Sequence, residues 1–321
     1  MAKQLPSQRV HLIGIGGAGM SVIAHLLLRR GAVVSGSDAA ASSTVVELRE
    51  AGASISVGHD GSTLPQQDAV VVVSSAIRDD NLELVMARSR GLRIAHRAEA
   101  LAWLMDGYRA ICVAGTAGKT STTSMLGAAL QGAGLDPSYA VGGQLRSSGS
   151  GAHLGNGDVF VAEADESDSS FLRYSPTVAV VTNLEPDHLD HYGTAEAYTA
   201  AFDEFAAQVV QDGTLIVCAD APGAQALGVR AGQNGVRVLQ YGRAASGFDD
   251  ARLLEFSSQG GAGRLRFSFR GRSSSFSCRC PASTWRQMRW LRSWRVSVLA
   301  RRSRACLRDS PATTACGAGS S

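Results

Sequence analysis

The sequence predicts an α/β protein with two successive domains, each built around a mainly parallel sheet. Short apolar runs alternate with amphipathic helical segments along most of the chain, which is typical of parallel sheets covered by helices. Two of these apolar runs end in glycine-rich turns that lead directly into helices. The length of 321 residues, with 45% hydrophobic and 18% charged residues, is sufficient for about two globular domains.

The first predicted domain, residues 1–107, opens with a strand, Arg9–Ile13, and the glycine-rich turn Gly14-Ile15-Gly16-Gly17-Ala18-Gly19-Met20. A predicted apolar helix, 21–30, follows, and the next strand, Val33–Asp38, ends in an acid. A G-x-G-x-x-G turn between strand and helix, with an acid closing the next strand, is the dinucleotide-type fingerprint. On its own this motif indicates a nucleotide-bearing ligand, with NAD as the first candidate.

The alternation continues to the end of this domain. Predicted helices cover 43–51, 82–90 and 98–105, and predicted strands cover 54–57, 69–73 and 92–94. The β-branched run Ala69–Val73 ends at Ser74 and Ser75, on the sheet edge where open α/β sheets bind their ligands. His59 and His96 stand alone in the sequence, and we interpret them as solvated or structural.

The second predicted domain, residues 108–271, begins with a buried strand and a phosphate-type loop. The helix predicted over 124–130 follows this loop, so backbone N–H groups point towards a bound phosphate. A lysine supplies a cation for the outer phosphates, and a threonine hydroxyl can hold Mg²⁺. Val113 stands where the standard pattern has its first glycine. The candidate ATP-binding residues are Gly115, Thr116, Ala117, Gly118, Lys119, Thr120 and Ser121.

Acidic residues follow two later strands of this domain. The strand predicted over 159–162 runs into Glu163-Ala164-Asp165-Glu166-Ser167-Asp168. Four carboxylates in six residues indicate a hard cation such as Mg²⁺, with a solvated acidic turn as the alternative. The strand predicted over 178–183 delivers His188, flanked by acids, to the same edge. Predicted strands at 214–220 and 236–241 extend the sheet.

Composition changes abruptly in the third segment, residues 272–321. It holds ten arginines and one acid, a charge of +9, whereas the other 271 residues carry −6 of the net +3. It also holds three of the four tryptophans and four of the six cysteines, while Cys112 and Cys218 lie in strand-like runs and are predicted to be buried thiols. One interpretation is a nucleic-acid-binding tail. We favour a slipped coding frame and a disordered tail, because codons from Cys280 onward, read in another frame, permit P-G-x-H-M-A-x-N-A.

Four stretches together resemble the Mur ligases over about residues 8 to 270, namely the turn at Gly14, the loop at Gly115, the acidic run from Glu163, and 182–190. In this family the first glycine loop holds the UDP part of a sugar nucleotide, and NAD is not used. The family's phosphate loop is the short form, which accounts for Val113. Ala117 departs from the family, because its alanine-adding members commonly have histidine there.

The resemblance implies an ATP-dependent ligase of peptidoglycan precursor synthesis. Such an enzyme joins L-alanine to the lactyl carboxylate of UDP-N-acetylmuramate through an acyl phosphate. By resemblance Lys119 holds the outer phosphates of ATP, Thr120 binds a first Mg²⁺, and Glu163 and His188 coordinate a metal that bridges phosphate and substrate. The implied catalytic residues are Lys119, Glu163 and His188, and the implied metal ligands are Thr120, Glu163 and His188. The implied UDP-sugar contacts are Gly14, Gly16, Gly17, Ala18, Gly19, Asp38, Ser74 and Ser75.

The resemblance also implies the domain plan: a Rossmann-like N-terminal domain, then an incomplete P-loop-type α/β ATPase domain. The family's C-terminal domain, which closes over ATP, is expected to be absent from this frame, so the chain as written is expected not to ligate.

Neither an N-terminal signal region nor a membrane-spanning run is present, so we expect a cytoplasmic protein without membrane or nucleic-acid partners. Three alternatives remain: a Mur-type ligase that adds a peptide to UDP-N-acetylmuramate, a non-catalytic UDP-sugar-binding remnant, and an NAD-dependent oxidoreductase.

Overall fold

The computed structural model of the chain describes residues 7–143, 150–247, 249–259, 262–270 and 272–279. These residues form two sheets with helices packed against them. The α/β class predicted from the sequence is confirmed. Among the described residues, no helix combines the length and the apolar character that crossing a bilayer requires.

The first sheet has five parallel strands. Its order is β3-β2-β1-β4-β5, so the order reverses beside β1. In open α/β sheets the crevice at such a reversal is where ligands bind, and here the glycine loop after β1 and Ser74 after β4 lie on either side of it. The strands are β1 (Arg9–Ile13), β2 (Val33–Asp38), β3 (Ser54–Val57), β4 (Ala69–Val73) and β5 (Arg93–His96). The helices are α1 (Ala18–Arg29), α2 (Ser43–Glu50), α3 (Leu82–Ser89) and α4 (Arg97–Met105).

Three of the four helices in this domain have a side chain that caps their N-terminus, and α1 does not. The Ser42 side chain accepts a hydrogen bond from a backbone N–H in the first turn of α2, and the Asn81 side chain does the same in α3. At α4, His96 and Glu99 form a capping box. Helix α1 instead begins after Gly17, which provides no side-chain cap. Its first N–H groups are therefore available to an anion.

The second sheet has ten strands in the order β15-β14-β13-β12-β11-β10-β6-β9-β7-β8. From β13 to β7 the neighbouring strands are parallel, and the pairing is antiparallel from β13 to β15 at one end and between β7 and β8 at the other. The strands are β6 (Arg109–Ala114), β7 (Ser138–Ala140), β8 (Ala152–His153), β9 (Val159–Glu163), β10 (Val178–Val181), β11 (Thr214–Cys218), β12 (Val238–Gly242), β13 (Ala251–Gln259), β14 (Ala262–Phe269) and β15 (Arg272–Arg279). The helices are α5 (Lys119–Gly132), α6 (Leu189–Tyr192), α7 (Ala195–Ala207) and α8 (Pro222–Gln233), and a 3₁₀ turn spans Ser170–Arg173.

Aromatic side chains fill the space between α7 and the 3₁₀ turn. Phe171 stacks on Phe205 with ring centroids 4.9 Å apart, and its edge meets Phe202 at 5.3 Å. All three rings are fully buried. Because Phe171 follows the acidic run, this cluster fixes the C-terminal end of that run against the domain core.

The start of the predicted tail is structured where the structure describes it. Residues 272–279 pair antiparallel with β14, so the boundary placed after Gly271 falls inside the β13–β15 meander rather than at its end. Residues 280–321, which carry the remainder of that prediction, lie outside the described residues. The meander joins the parallel strands through only two residue pairs between β12 and β13, Tyr241 with Ala251 and Gly242 with Arg252. Cys112 and Cys218 are buried thiols, as predicted.

Candidate functional site

The first glycine loop turns sharply from β1 into α1. Gly14 adopts φ +76°, and its N–H donates to the Ser37 carbonyl at 2.8 Å. The N–H of Gly16 donates to Asp38 Oδ2 at 2.8 Å, and a side chain at Gly16 would lie 2.9 Å from that oxygen. Asp38 also accepts the Ala40 N–H at 3.1 Å. Asp38, predicted as a nucleotide contact, therefore braces the loop in the structure.

The phosphate loop connects β6 to α5 through two glycines with positive φ. Gly115 has φ +131° and Gly118, which precedes α5 without a side-chain cap, has φ +85°. The tip of the loop is held from β10, because Ala117 N–H donates to Asn183 Oδ1 at 2.9 Å and Thr182 Oγ1 donates to the Ala117 carbonyl at 2.7 Å. The loop is thus shaped by two side chains and leaves the α5 N-terminus open.

The remaining loop residues have clear positions. Thr116 Oγ1 donates to the Glu185 carbonyl at 2.9 Å and lies 3.0 Å from the Tyr198 hydroxyl. Ser121 lies half-buried in the first turn of α5, and Ala117 is exposed at the tip. The exposed methyl group of Ala117 makes this side of the loop apolar where a histidine would be polar.

Lys119 lies beside a buried carboxylate. Its Nζ donates to Glu166 Oε1 at 2.7 Å and to the Gly115 carbonyl at 2.9 Å, and it lies 3.5 Å from the Thr116 carbonyl. The Glu166 side chain is 0% exposed, and its Oε2 has no hydrogen-bond partner. Burial raises the pKa of Glu166 above its ordinary value, although Lys119 opposes this shift.

Glu163, at the end of β9, faces Thr120, the residue that follows Lys119 in α5. Thr120 Oγ1 donates to Glu163 Oε1 at 2.6 Å, and the Gly142 N–H donates to Oε2 at 2.8 Å. Two hard oxygen donors from different elements therefore meet at the start of α5, which is the donor chemistry that Mg²⁺ prefers.

His188 lies at the same sheet edge but beside a different carboxylate. Its backbone is left-handed, with φ +50°, immediately before α6. Its Nε2 is 3.9 Å from Glu166 Oε1 and 3.9 Å from Asp187 Oδ2. Within the described ranges His188 forms no ion pair with Glu163, and no three His, Cys, Asp or Glu side chains are grouped as a metal site. The structure brings Thr120 and Glu163 together, and His188 next to Glu166.

The other two carboxylates of the acidic run face the first domain. Arg97, at the start of α4, donates to Asp165 Oδ2 at 2.7 Å and lies 3.6 Å from Asp168 Oδ2. Asp168 also accepts the Ser75 hydroxyl at 2.9 Å. Although burial alone would raise it, hydrogen bonds from Ser170 and Ser75 hold the pKa of Asp168 below its ordinary value. The run 163–168 therefore connects the phosphate loop on one side with the first domain on the other.

A cavity of about 680 Å³ lies between the first glycine loop and the start of α5. Its lining includes Lys119 and Glu163 from the second domain and Arg97 from the first. Of the residues predicted to contact the UDP-sugar, it is lined by Gly14, Gly16, Gly17, Ala18, Gly19, Asp38 and Ser74. Ser75 is not part of this lining, and its hydroxyl donates to Asp168 Oδ2 at 2.9 Å.

Three residues of the site were not assigned a role from the sequence. Glu166 belongs to the predicted acidic run and Asn183 to the end of a predicted strand. The sequence pattern did not show that either side chain contacts the phosphate loop or Lys119. Arg97 carried no signal, because an arginine at the start of a helix is ordinary on a protein surface. Its role becomes visible only when α4 and the acidic run are seen in contact.

Comparisons with known proteins agree with this geometry. Residues 9–109 match the family model described as "Mur ligase family, catalytic domain", and residues 113–282 match the "Mur ligase middle domain". The UDP-N-acetylmuramate–L-alanine ligase of Saccharopolyspora erythraea is 57% identical over 259 residues, which are 80% of this chain and 53% of that protein. The chain thus spans about half the length of the curated relatives it matches.

Solved structures show the same fold. The UDP-N-acetylmuramate–alanine ligase of Thermotoga maritima superposes with a TM-score of 0.71 at 28% identity, covering 85% of this chain and 61% of that one. A UDP-N-acetylmuramate:L-alanyl-γ-D-glutamyl-meso-diaminopimelate ligase from Neisseria meningitides superposes at 0.75 with 24% identity, covering 87% and 90%. The two family models match successive parts of the chain, and residues of both parts line the cavity. The chain therefore belongs to the Mur ligase family.

Proposed function

We propose that this chain forms the sugar-nucleotide and ATP sites of an ATP-dependent ligase that joins L-alanine to UDP-N-acetylmuramate in peptidoglycan precursor synthesis. The observation that carries the proposal is the cavity that the first glycine loop shares with Lys119 and Glu163 of the second domain. A reaction between a sugar nucleotide and ATP requires the two sites to open on one space. The name of the relative that is 57% identical supports the choice of substrates.

Each nucleotide is assigned to one helix N-terminus. The pyrophosphate of UDP lies at the start of α1, where no side chain caps the helix. The phosphates of ATP lie at the start of α5, which is also uncapped and carries Lys119 as its first residue. Both helix ends supply N–H groups and the positive end of a helix dipole to an anion.

Thr120 and Glu163 would hold Mg²⁺ with the ATP phosphates. Their oxygens already lie 2.6 Å apart, and Glu163 is oriented by the Gly142 N–H. When bound, Mg²⁺ neutralises the negative charge that collects on the phosphates. His188 is the third candidate ligand, and its imidazole would have to approach Glu163 from its present position beside Glu166.

The bond changes proceed in two steps. The lactyl carboxylate attacks the γ-phosphorus of ATP, the bond to ADP breaks, and an acyl phosphate forms. The amine of L-alanine then attacks the carbonyl carbon, phosphate leaves, and the amine gives up a proton as the amide forms. Lys119 stabilises charge on the phosphates by position and electrostatics. The acyl phosphate has to be kept from water, because water would hydrolyse it before the amine attacks.

The domain plan follows from the same proposal. Residues 1–107 hold the sugar nucleotide, and residues 108–271 hold ATP. UDP-N-acetylmuramate and L-alanine are the proposed small-molecule partners, and the cytoplasm, where nucleotide precursors are made, is the proposed location. Neither nucleic acid nor a membrane is required by the proposed reaction.

Calorimetric titration of the chain tests the proposal. Wild-type chain is expected to bind ATP with Mg²⁺ and, separately, UDP-N-acetylmuramate. Lys119→Ala should weaken ATP binding at least about tenfold, because a charge-assisted contact to phosphate is lost, and should leave UDP-N-acetylmuramate binding intact. Unchanged ATP affinity in this variant would contradict the assignment of the phosphate loop.

A phosphate-release assay separates ligation from binding alone. Wild-type chain is mixed with ATP, UDP-N-acetylmuramate and either L-alanine or the tripeptide L-alanyl-γ-D-glutamyl-meso-diaminopimelate. Release that depends on L-alanine supports the proposed ligase, and release that depends on the tripeptide identifies a peptide ligase instead. Binding of both nucleotides with no release under either condition identifies a nucleotide-binding chain that does not catalyse the reaction by itself.

A further inference from the structure

The Lys119 ammonium is saturated by acceptors of its own chain. It has three N–H donors, and three oxygens lie within 3.5 Å of Nζ: Glu166 Oε1, the Gly115 carbonyl and the Thr116 carbonyl. Only one of these acceptors carries a charge, and its 2.7 Å contact is the shortest of the three. A phosphate that binds Lys119 must therefore displace at least one of them, and it competes most directly with the Glu166 carboxylate.

Glu166 has no second hydrogen-bond donor within reach, among the described residues, that could take the place of Lys119. Its side chain is 0% exposed, so water does not solvate it, and Oε2 already lacks a hydrogen-bond partner. In the part of the chain that the structure describes, the nearest other cation-forming group is His188, whose Nε2 is 3.9 Å from Oε1 and beyond hydrogen-bond distance. When Lys119 turns to a phosphate, a buried carboxylate loses its hydrogen-bond donor, which is unfavourable.

We propose that Glu166 is an internal competitor of the nucleotide phosphates for Lys119, which weakens nucleotide binding and speeds release of ADP. This inference rests on the proposed binding of ATP at the phosphate loop. Glu166 acts through Lys119 and is a positioning residue. In the nucleotide-free chain the Glu166 carboxylate accepts a hydrogen bond from the Lys119 ammonium. After the reaction this hydrogen bond forms again as the ADP phosphates leave.

Glu166→Gln tests the competition directly. The amide retains the shape of the side chain and accepts a neutral hydrogen bond, but it no longer offers Lys119 an anion or repels the phosphates. ATP and ADP should therefore bind about tenfold more tightly, which corresponds to about 1.4 kcal/mol. ADP dissociation, followed by stopped-flow fluorescence of a labelled ADP, should slow by a similar factor. A residue with a purely structural role would weaken binding or leave it unchanged when replaced.

Asp168→Asn is the matched control. Asp168 is a mostly buried carboxylate two residues further along the same run, but it faces Arg97 and Ser75 rather than Lys119. If the loss of negative charge alone strengthened nucleotide binding, this variant would gain as much as Glu166→Gln. We expect it to gain less than about threefold, since its contacts lie on the other side of the run.

The outcomes separate this inference from the proposed function. If the wild-type chain binds neither ATP nor ADP, the assignment of the phosphate loop fails, and the inference fails with it. If the wild-type chain binds both and folded Glu166→Gln binds them no more tightly, only the inference is overturned. Should Glu166→Gln fail to fold, Glu166→Asp keeps the charge but withdraws it by one methylene. A smaller gain in affinity for that variant supports the competition, and unchanged or weaker binding overturns it.

Discussion

Replacing Gly115 by alanine should destabilise the chain through two separable terms. The first is conformational, because Gly115 has φ +131°, a region that is essentially restricted to glycine. The second is steric, because a Cβ there would lie 2.2 Å from Thr182 Oγ1 and 2.9 Å from the Asn183 carbonyl oxygen. Thr182 cannot rotate away freely, since its hydroxyl donates to the Ala117 carbonyl at 2.7 Å.

The magnitude follows from these two terms. Strain at such a φ costs about 1–3 kcal/mol. Overpacking against atoms that cannot yield adds about 1–3 kcal/mol. Gly115→Ala is therefore expected to lower the free energy of unfolding by about 2–6 kcal/mol, and to move the loop tip that Thr182 holds.

Gly134→Ala isolates the conformational term. Gly134 follows α5 with φ +75°, and a Cβ there would meet nothing within 4 Å. This control should cost about 1–2 kcal/mol, the penalty of a left-handed residue alone. Urea unfolding followed by circular dichroism measures both variants. A Gly115→Ala chain no less stable than Gly134→Ala would refute the steric argument and the packing of the loop against β10.

Three other perturbations address the metal ligands, a buried acid and the core. Thr120→Val should weaken ATP binding with Mg²⁺ about tenfold and alter binding in EDTA much less, because the hydroxyl beside Glu163 is lost; equal losses in both titrations would remove Thr120 from the metal site. Burial raises the pKa of Glu83, but hydrogen bonds led by that from His11 outweigh it, so the folded-state pKa lies below its ordinary value of about 4.5. The stabilisation from Glu83 is therefore present above pH 4.5 and lost as the pH falls through the folded-state value; wild-type unfolding free energies that fall no more steeply than those of Glu83→Gln below pH 4.5 would contradict this. Phe171→Ala should cost about 3–5 kcal/mol in urea unfolding, and a cost below about 1 kcal/mol would mean that its buried stack contributes little.

The central parallel strands were predictable because their residues are buried on both faces, whereas β7, β8 and the β13–β15 meander are absent from the prediction. Ala69–Val73 is a continuous β-branched run, and such runs occur mainly in parallel strands covered by helices. The glycine turns were predictable because a chain that turns from a strand into a helix within a few residues needs positive φ, which glycine adopts most readily. Helix α7 is absent from the prediction although Thr194 caps it and Tyr198, Phe202 and Phe205 recur at helical spacing.

The direction of each acidic side chain was beyond prediction. Side chains alternate between faces only while the strand continues, and β9 ends at Glu163. After that point the backbone is irregular, so nothing in the order of residues 164–168 shows that Glu166 turns inward while Asp165 and Asp168 turn to Arg97. The pairing also depends on a residue nearly seventy positions away, which local patterns do not reveal. For Asp38 the fingerprint indicated a ligand contact, and it did not reveal that the carboxylate also accepts the Gly16 N–H.

The two-sided acidic run constrains how the gene can vary by insertion and deletion. Four carboxylates within six residues have partners on opposite sides, with Thr120 and Lys119 on one and Arg97 on the other. A substitution removes one contact, but a single inserted or deleted codon would shift every later residue of the run. Such a change would place carboxylates against the wrong partners on both sides at once. A change in the length of this segment therefore disturbs more of its contacts than a substitution at any one position.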